Sequence, residues 1–87
     1  MLEIIIIPQC ERELKEFPAE VIEDFLDAIV KLQNGLLLSL PLSRPLSSIQ
    51  QALHELRLKD KNGIYRVFYF IKKGDAIYII HAFKKKD

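Results

Sequence analysis

The sequence predicts an α+β fold: a mostly antiparallel sheet with two N-terminal helices on one face, in the order β-α-α-β-β-β. Three observations predict it. Residues 52–86 hold three runs of apolar, β-branched and aromatic residues, split by DKNG and KKGD, which is the pattern of an antiparallel meander. Between Ala19 and Asn34 the apolar positions Val21, Ile22, Phe25, Leu26, Ile29 and Leu32 recur at helical spacing. At the N-terminus, Leu2–Ile7 is a short apolar run stopped by Pro8, as expected of a buried first strand.

The remaining elements follow in order. Glu11–Phe17 reads as a short helix with Leu14 and Phe17 on one side. Pro18 suits the opening of the second helix, and Gly35 its C′ position. Glu20, Glu23, Asp24 and Asp27 form a solvated acidic face near the start of that helix, where carboxylates are favoured. Leu36–Gln51 reads as a loop, because Pro41 and Pro45 oppose a long helix and the serines mark turns. Its run LLLSLPL is apolar enough to pack partly under the sheet edge. An antiparallel helix pair returns the chain so that the second strand runs antiparallel to the first. The helix-covered face is expected to bear Leu56, Leu58, Tyr65, Val67, Tyr69, Tyr78 and Ile80, each contributing roughly 1.5–3 kcal/mol when buried.

Eighty-seven residues make one domain, 1–87, with a single two-layer core. With 49% hydrophobic and 29% charged residues the composition is that of a soluble globular protein. Ile4–Ile7 is far too short to span a membrane, and it has neither a basic leader nor a cleavage site, so no signal peptide and no membrane partner are expected. The lone Cys10 cannot form an internal disulfide and suggests a cytoplasmic location. Cys10 has no nearby histidine or second cysteine, and His54 and His81 fall on different strands. No metal or cofactor is therefore expected. The overall charge of +1 hides an asymmetry. Residues 1–54 carry four basic against eight acidic residues, and residues 55–87 carry nine basic against four acidic. A basic sheet on a near-neutral protein is the footprint of a focused polyanion site.

The turns set the expected register. A first hairpin turning through Asp60–Gly63 pairs Lys59 with Ile64 and Arg57 with Arg66. Side chains alternate with period two, so any even loop keeps Arg57, Lys59 and Arg66 on one face. A second hairpin turning through Lys72–Asp75 pairs Arg66 with His81. An odd loop with a bulge would break this register. The expected row is Arg57–Arg66–His81, with Lys59 and Phe83 one step toward the rim. Like charges directly opposite destabilise a sheet, and a sheet that keeps them is a candidate anion binder. Phe68, Phe70, Ile77 and Ile79 are expected on the same open face as an apolar strip for a partner or a second copy of the chain. His54 and Glu55 read as structural.

At ELRLK (55–59), YRVFY (65–69) and IIHAFKKK (79–86) the sequence resembles the RelE/HigB superfamily of bacterial toxin–antitoxin toxins, most closely its phage-derived HigB-like members. The order of motifs from Pro41 to Lys86 matches, and the first half is compatible with the family's strand and helix pair. The resemblance implies a compact α/β ribonuclease-like fold and an mRNA interferase that cleaves messenger RNA, usually on the ribosome. It also implies neutralisation by a small antitoxin, often with a helix-turn-helix. Under it, Arg57 and Lys59 fall on the basic positions of the second strand, Arg66 on the arginine of the third, and His81 and Lys84 on the polar positions ending the fourth. Members commonly continue past the lysine run with a proline and a final helix, whereas this sequence stops at Asp87.

The chemistry fits these residue types. Metal-free RNA cleavage needs a base for the 2′-hydroxyl, an acid for the leaving 5′-oxygen, and cations for the charge growing on phosphate. Arginine offers planar bidentate contacts to phosphate. Histidine serves as acid or base near neutral pH, and a lysine beside arginines is a candidate base. Arg57, Lys59, Arg66, His81 and Lys84 are thus the candidate catalytic residues. Phe83 is expected to stack an RNA base, and Lys61, Lys85 and Lys86 to meet the RNA backbone. Two other functions compete: a ParE-like toxin that inhibits DNA gyrase without cutting RNA, and an inactive interaction domain. The histidine among the arginines favours the nuclease, since a pure binder needs no acid–base group.

Overall fold

Pro8 both ends the first strand and starts a helix, because its missing N–H would be unpaired in the first turn anyway. The computed structural model, which describes residues 2–72 and 75–86, therefore has its first helix earlier than the expected Glu11–Phe17. Strand β1 (Glu3–Ile6) is followed at once by α1 (Pro8–Leu14), which buries Cys10 and Leu14. Helix α2 (Ala19–Gln33) has Pro18 as its N-cap and buries Val21, Phe25, Ala28, Ile29 and Leu32. Its end is a Schellman turn. Gly35, at φ +82, donates its N–H to the Leu32 carbonyl, and Leu36 donates to Lys31, each at 3.0 Å. The four acidic residues of α2 are all exposed, as expected.

The sheet has five strands: β1, β2 (Ser43–Pro45), β3 (Leu53–Asp60), β4 (Gly63–Lys72) and β5 (Ala76–Lys84), in the spatial order β1-β5-β4-β3-β2. The fold class is as expected, with two corrections. Strand β2 lies where the sequence predicts a loop. Three residues carry too little pattern to announce a strand, and Pro45 is tolerated there because β2 lies at the sheet edge. Strand β1 pairs in parallel with β5. Since β3, β4 and β5 alternate in direction, β1 also runs parallel to β3, not antiparallel to it. The helices lead first into β2, which runs antiparallel to β1, and the turn from β2 into β3 restores the parallel direction.

The β3–β4 hairpin has the expected register, with Lys59 opposite Ile64 and Arg57 opposite Arg66. Asp60 accepts the Asn62 N–H at 2.8 Å and so fixes the turn. The β4–β5 hairpin differs. Lys72 pairs with Ala76, so its loop, whose tip at 73–74 lies outside the described residues, has an odd length. A bulge then follows: Tyr69 faces Ile79, Phe68 faces His81, and Ile80 has no partner across the ladder. Each irregularity alone would swap the faces of β5. Together they swap only residues 76–79. Ile77 and Ile79 are accordingly buried in the core, where Tyr78 and Ile80 were expected, and the latter two are half-buried on the open face.

The core lies between α1, α2 and one sheet face. It joins Phe17, Val21, Phe25, Ile29 and Leu32 to Leu56, Leu58, Tyr65, Val67, Tyr69, Ile77, Ile79 and Ala82. Leu38 and Leu42 of the apolar loop pack against it, while Leu36, Leu37 and Leu40 stay exposed. Ser43 and Tyr69 share a buried hydrogen bond that ties β2 into the core.

Candidate functional site

The open face of the sheet carries the candidate site. Period-two alternation puts Glu55, Arg57 and Lys59 of β3 there, together with Arg66 and Phe68 of β4, and Arg44 of β2 lies opposite Glu55. Because the second hairpin is shifted, Arg66 faces Phe83, and His81 sits one pair along, opposite Phe68. The expected straight row Arg57–Arg66–His81 is therefore a bent one, with His81 diagonal to Arg66. The two offsets cancel beyond the bulge, so His81 still shares the arginines' face.

Glu55, expected to be structural, is the centre of the cluster. Its side chain is 2% exposed, and three arginines converge on it. Arg44 Nε lies 3.1 Å from Oε1, Arg66 Nη1 3.2 Å from Oε2, and Arg57 Nε 3.8 Å from Oε1. A carboxylate buried among cations holds apart guanidinium groups that would otherwise repel. One signal was available: in the paired register Glu55 sits two residues from Arg57 on the same face. Arg44, on a strand that was not anticipated, gave none. One negative charge against three positive ones leaves the cluster cationic. The Nε atoms of Arg57 and Arg66 are buried with no hydrogen-bond partner among the described residues, and such donors are costly to leave unmade.

His81 is fixed by a second carboxylate. Where β1 ends at Ile6, the outer edge of β5 is taken over by α1. Glu13 there accepts the Ala82 N–H at 3.0 Å, and both of its oxygens lie 3.0 Å from His81 Nδ1. Partial burial pulls the Glu13 carboxyl upward in pKa, but the Ala82 N–H and the His81 ring outweigh it and hold the group below its ordinary value. The His81 ring is stacked on Phe83, with centroids 4.9 Å apart, and meets the edge of Phe68. Its side chain remains 46% exposed.

The other expected site residues scatter. Lys59 is exposed at the rim, on a groove of about 540 Å³ that it shares with Arg57 and with Asp24 and Asp27 of α2. Lys84 does not join the cluster. It pairs with Tyr65, projects to the helix side, and places Nζ 5.8 Å from the centre of the Tyr65 ring. Lys61, Lys85 and Lys86 are exposed around the first hairpin turn, with which the end of β5 is aligned through the Lys85 N–H to Ile64 carbonyl bond of 2.7 Å. Phe83 packs one face against His81, so only its other face is open to a base. The expected apolar strip is corrected as well. It consists of Phe68, Phe70, Tyr78 and Ile80, all half-buried, whereas Ile77 and Ile79 face the helices. His54 is structural as expected. It stacks on Tyr69, and burial pushes its pKa below the ordinary value. The buried Cys10 thiol is pushed up to about 11, first by burial and then by the charge of Glu13, which makes it inert.

Among the described residues, no group of three or more His, Cys, Asp or Glu side chains is placed to hold a metal ion, and no helix is long and apolar enough to cross a membrane. Compared with known families, residues 12–87 match the model described as phage derived protein Gp49-like (DUF891). The chain belongs to this Gp49-like family. The match covers α2 and the whole sheet except β1, and so includes every residue of the arginine cluster as well as His81 and Glu13. No curated protein and no solved structure matched the chain.

Proposed function

We propose that this Gp49-like protein is the toxin of a toxin–antitoxin pair and acts as an endoribonuclease on messenger RNA, in the manner of the RelE/HigB toxins that its motifs resemble. One observation carries the reading: Arg57 and Arg66 lie side by side over a buried carboxylate, with His81 diagonal to them on the same face. Arginines held in fixed orientation by a shared carboxylate suit the oxygens of a phosphodiester. In the reaction, the 2′-hydroxyl gives up its proton to a base and its oxygen bonds to phosphorus. The P–O5′ bond then breaks, and the 5′-oxygen takes a proton from an acid. His81 is the acid–base group of the cluster, and Arg57 and Arg66 stabilise the charge that grows on the phosphoryl oxygens. Lys59, Lys61, Lys85 and Lys86 hold the RNA backbone at the basic end of the sheet. An antitoxin would silence the site by covering the arginines and the aromatic surface around Phe68 and Phe70.

Induced expression in a bacterium, with transcript ends mapped for the wild type and for Arg66→Ala, tests this reading. New internal mRNA ends that vanish in the variant are expected. Growth arrest without new ends would favour a gyrase-type binder instead.

A further inference from the structure

We infer that Glu13 is a positioning residue that locks His81 into the Nδ1–H tautomer, so that Nε2 is the atom that exchanges protons with the RNA. The inference deepens the ribonuclease reading and rests on it for its catalytic part. Its structural part stands alone. The Ala82 N–H donates to Glu13 Oε1, which fixes the carboxylate on the edge of β5. The same carboxylate presents both oxygens at 3.0 Å to His81 Nδ1. A carboxylate can only accept, so a neutral His81 ring must place its proton on Nδ1. That leaves the Nε2 lone pair free. Phe83 stacked on the ring and Phe68 at its edge restrict rotation away from this position. Glu13 comes from α1 and not from the sheet, so the acid–base group is set by a helix 68 residues distant in sequence.

Glu13→Gln separates this role from simple support. The single amide oxygen can keep the Ala82 N–H. The amide NH₂ then takes the place of Oε2 at 3.0 Å from Nδ1 and opposes a proton there, while the retained oxygen still accepts, so the carboxylate's one-sided bias toward the Nδ1 proton is lost. Nitrogen-15 NMR of the imidazoles at alkaline pH, with His54→Gln used for assignment, reads the tautomer directly. The wild type should show Nδ1 protonated and Nε2 bare, and Glu13→Gln a population shifted toward a protonated Nε2. In RNA cleavage the kcat of the variant should fall to the fraction of rings that keep the Nδ1 proton, with KM nearly unchanged, as expected when part of a catalytic histidine is held in the wrong tautomer. A protonated Nε2 in the wild type overturns the inference, whether or not the variant folds. So does a Glu13→Gln protein that keeps both the Nδ1 proton and full kcat. If the tautomers are as stated but the wild type cuts no RNA, the positioning stands and the ribonuclease reading falls.

Discussion

The two hairpins of the sheet are built from similar material and behave differently. The β3–β4 hairpin is regular. Its turn fixes the register, and every side chain from Leu53 to Phe70 falls on the face that alternation assigns. The β4–β5 hairpin has an odd loop and a bulge at Ile80. Their effects cancel, so the end of β5 rejoins the pattern while its start is inverted. The first hairpin thus brings Arg57, Arg66 and Glu55 of the charged cluster together on its own. The second must use two irregularities to bury Ile77 and Ile79 and still bring His81 to the arginines' face. Bulges of this kind commonly re-aim a side chain beside a functional site.

Removing the bulge should be the most damaging change. Deleting Ile80 forces a choice: either His81 points into the core, or Ile77 and Ile79 leave it. Burial of the two isoleucines alone is worth roughly 1.5–3 kcal/mol each. Loss of cooperative unfolding in a urea titration is expected, and a deletion variant as stable as the wild type would mean that the bulge is dispensable. The regular hairpin should fail less completely. Glu55→Ala leaves three arginines without their shared carboxylate and should lower stability by about 3 kcal/mol, the lower end for breaking a buried ion pair, since the arginines are partly exposed. The urea midpoint measures it, and added phosphate should recover part of the loss by taking the place of the carboxylate.

The regular hairpin also holds a partly buried histidine. His54 on β3 has its pKa lowered by burial from an ordinary 6.5. As pH falls, the unfolded chain therefore takes up this proton first. The stability it contributes is complete above the ordinary value and is lost as pH falls through the folded value. His54→Gln should flatten the dependence of the urea midpoint on pH as pH falls below the ordinary 6.5. An unchanged slope would remove His54 from that account. The smallest effect belongs to Lys84, which the shifted hairpin turns toward Tyr65. Lys84→Met should leave RNA cleavage within about twofold, as for surface substitutions away from the charged cluster.

The same contrast explains what could be read in the sequence. The DKNG turn and the charged positions 57, 59 and 66 sufficed for the first hairpin, because a slip of one residue there would bury arginines. In the second, Ile77, Tyr78, Ile79 and Ile80 are all apolar, so either register buries an acceptable set and the pattern cannot choose. The choice is made by packing against Ile4 and Ile6 of β1 and against the helices, a long-range condition. Glu13 and Arg44 escaped for a related reason. Each reaches the site only through a strand edge, the end of β1 in one case and β2 in the other. Helix α2, its glycine C′ position and its solvated acidic face were legible, since each depends on local spacing and caps alone.

Phosphate chemistry at Arg66 is tested most directly by the ends of the cleaved RNA. Cleavage should leave a 2′,3′-cyclic or 3′-phosphate and a 5′-hydroxyl, and should persist in EDTA. Arg66→Ala should cut about a hundredfold more slowly, a loss on the order of 3 kcal/mol for one contact to the developing charge. Arg66→Lys should recover part of that, since it keeps the charge and loses the planar fork. Products with a 5′-phosphate and a free 3′-hydroxyl, or full activity in Arg66→Ala, would contradict it.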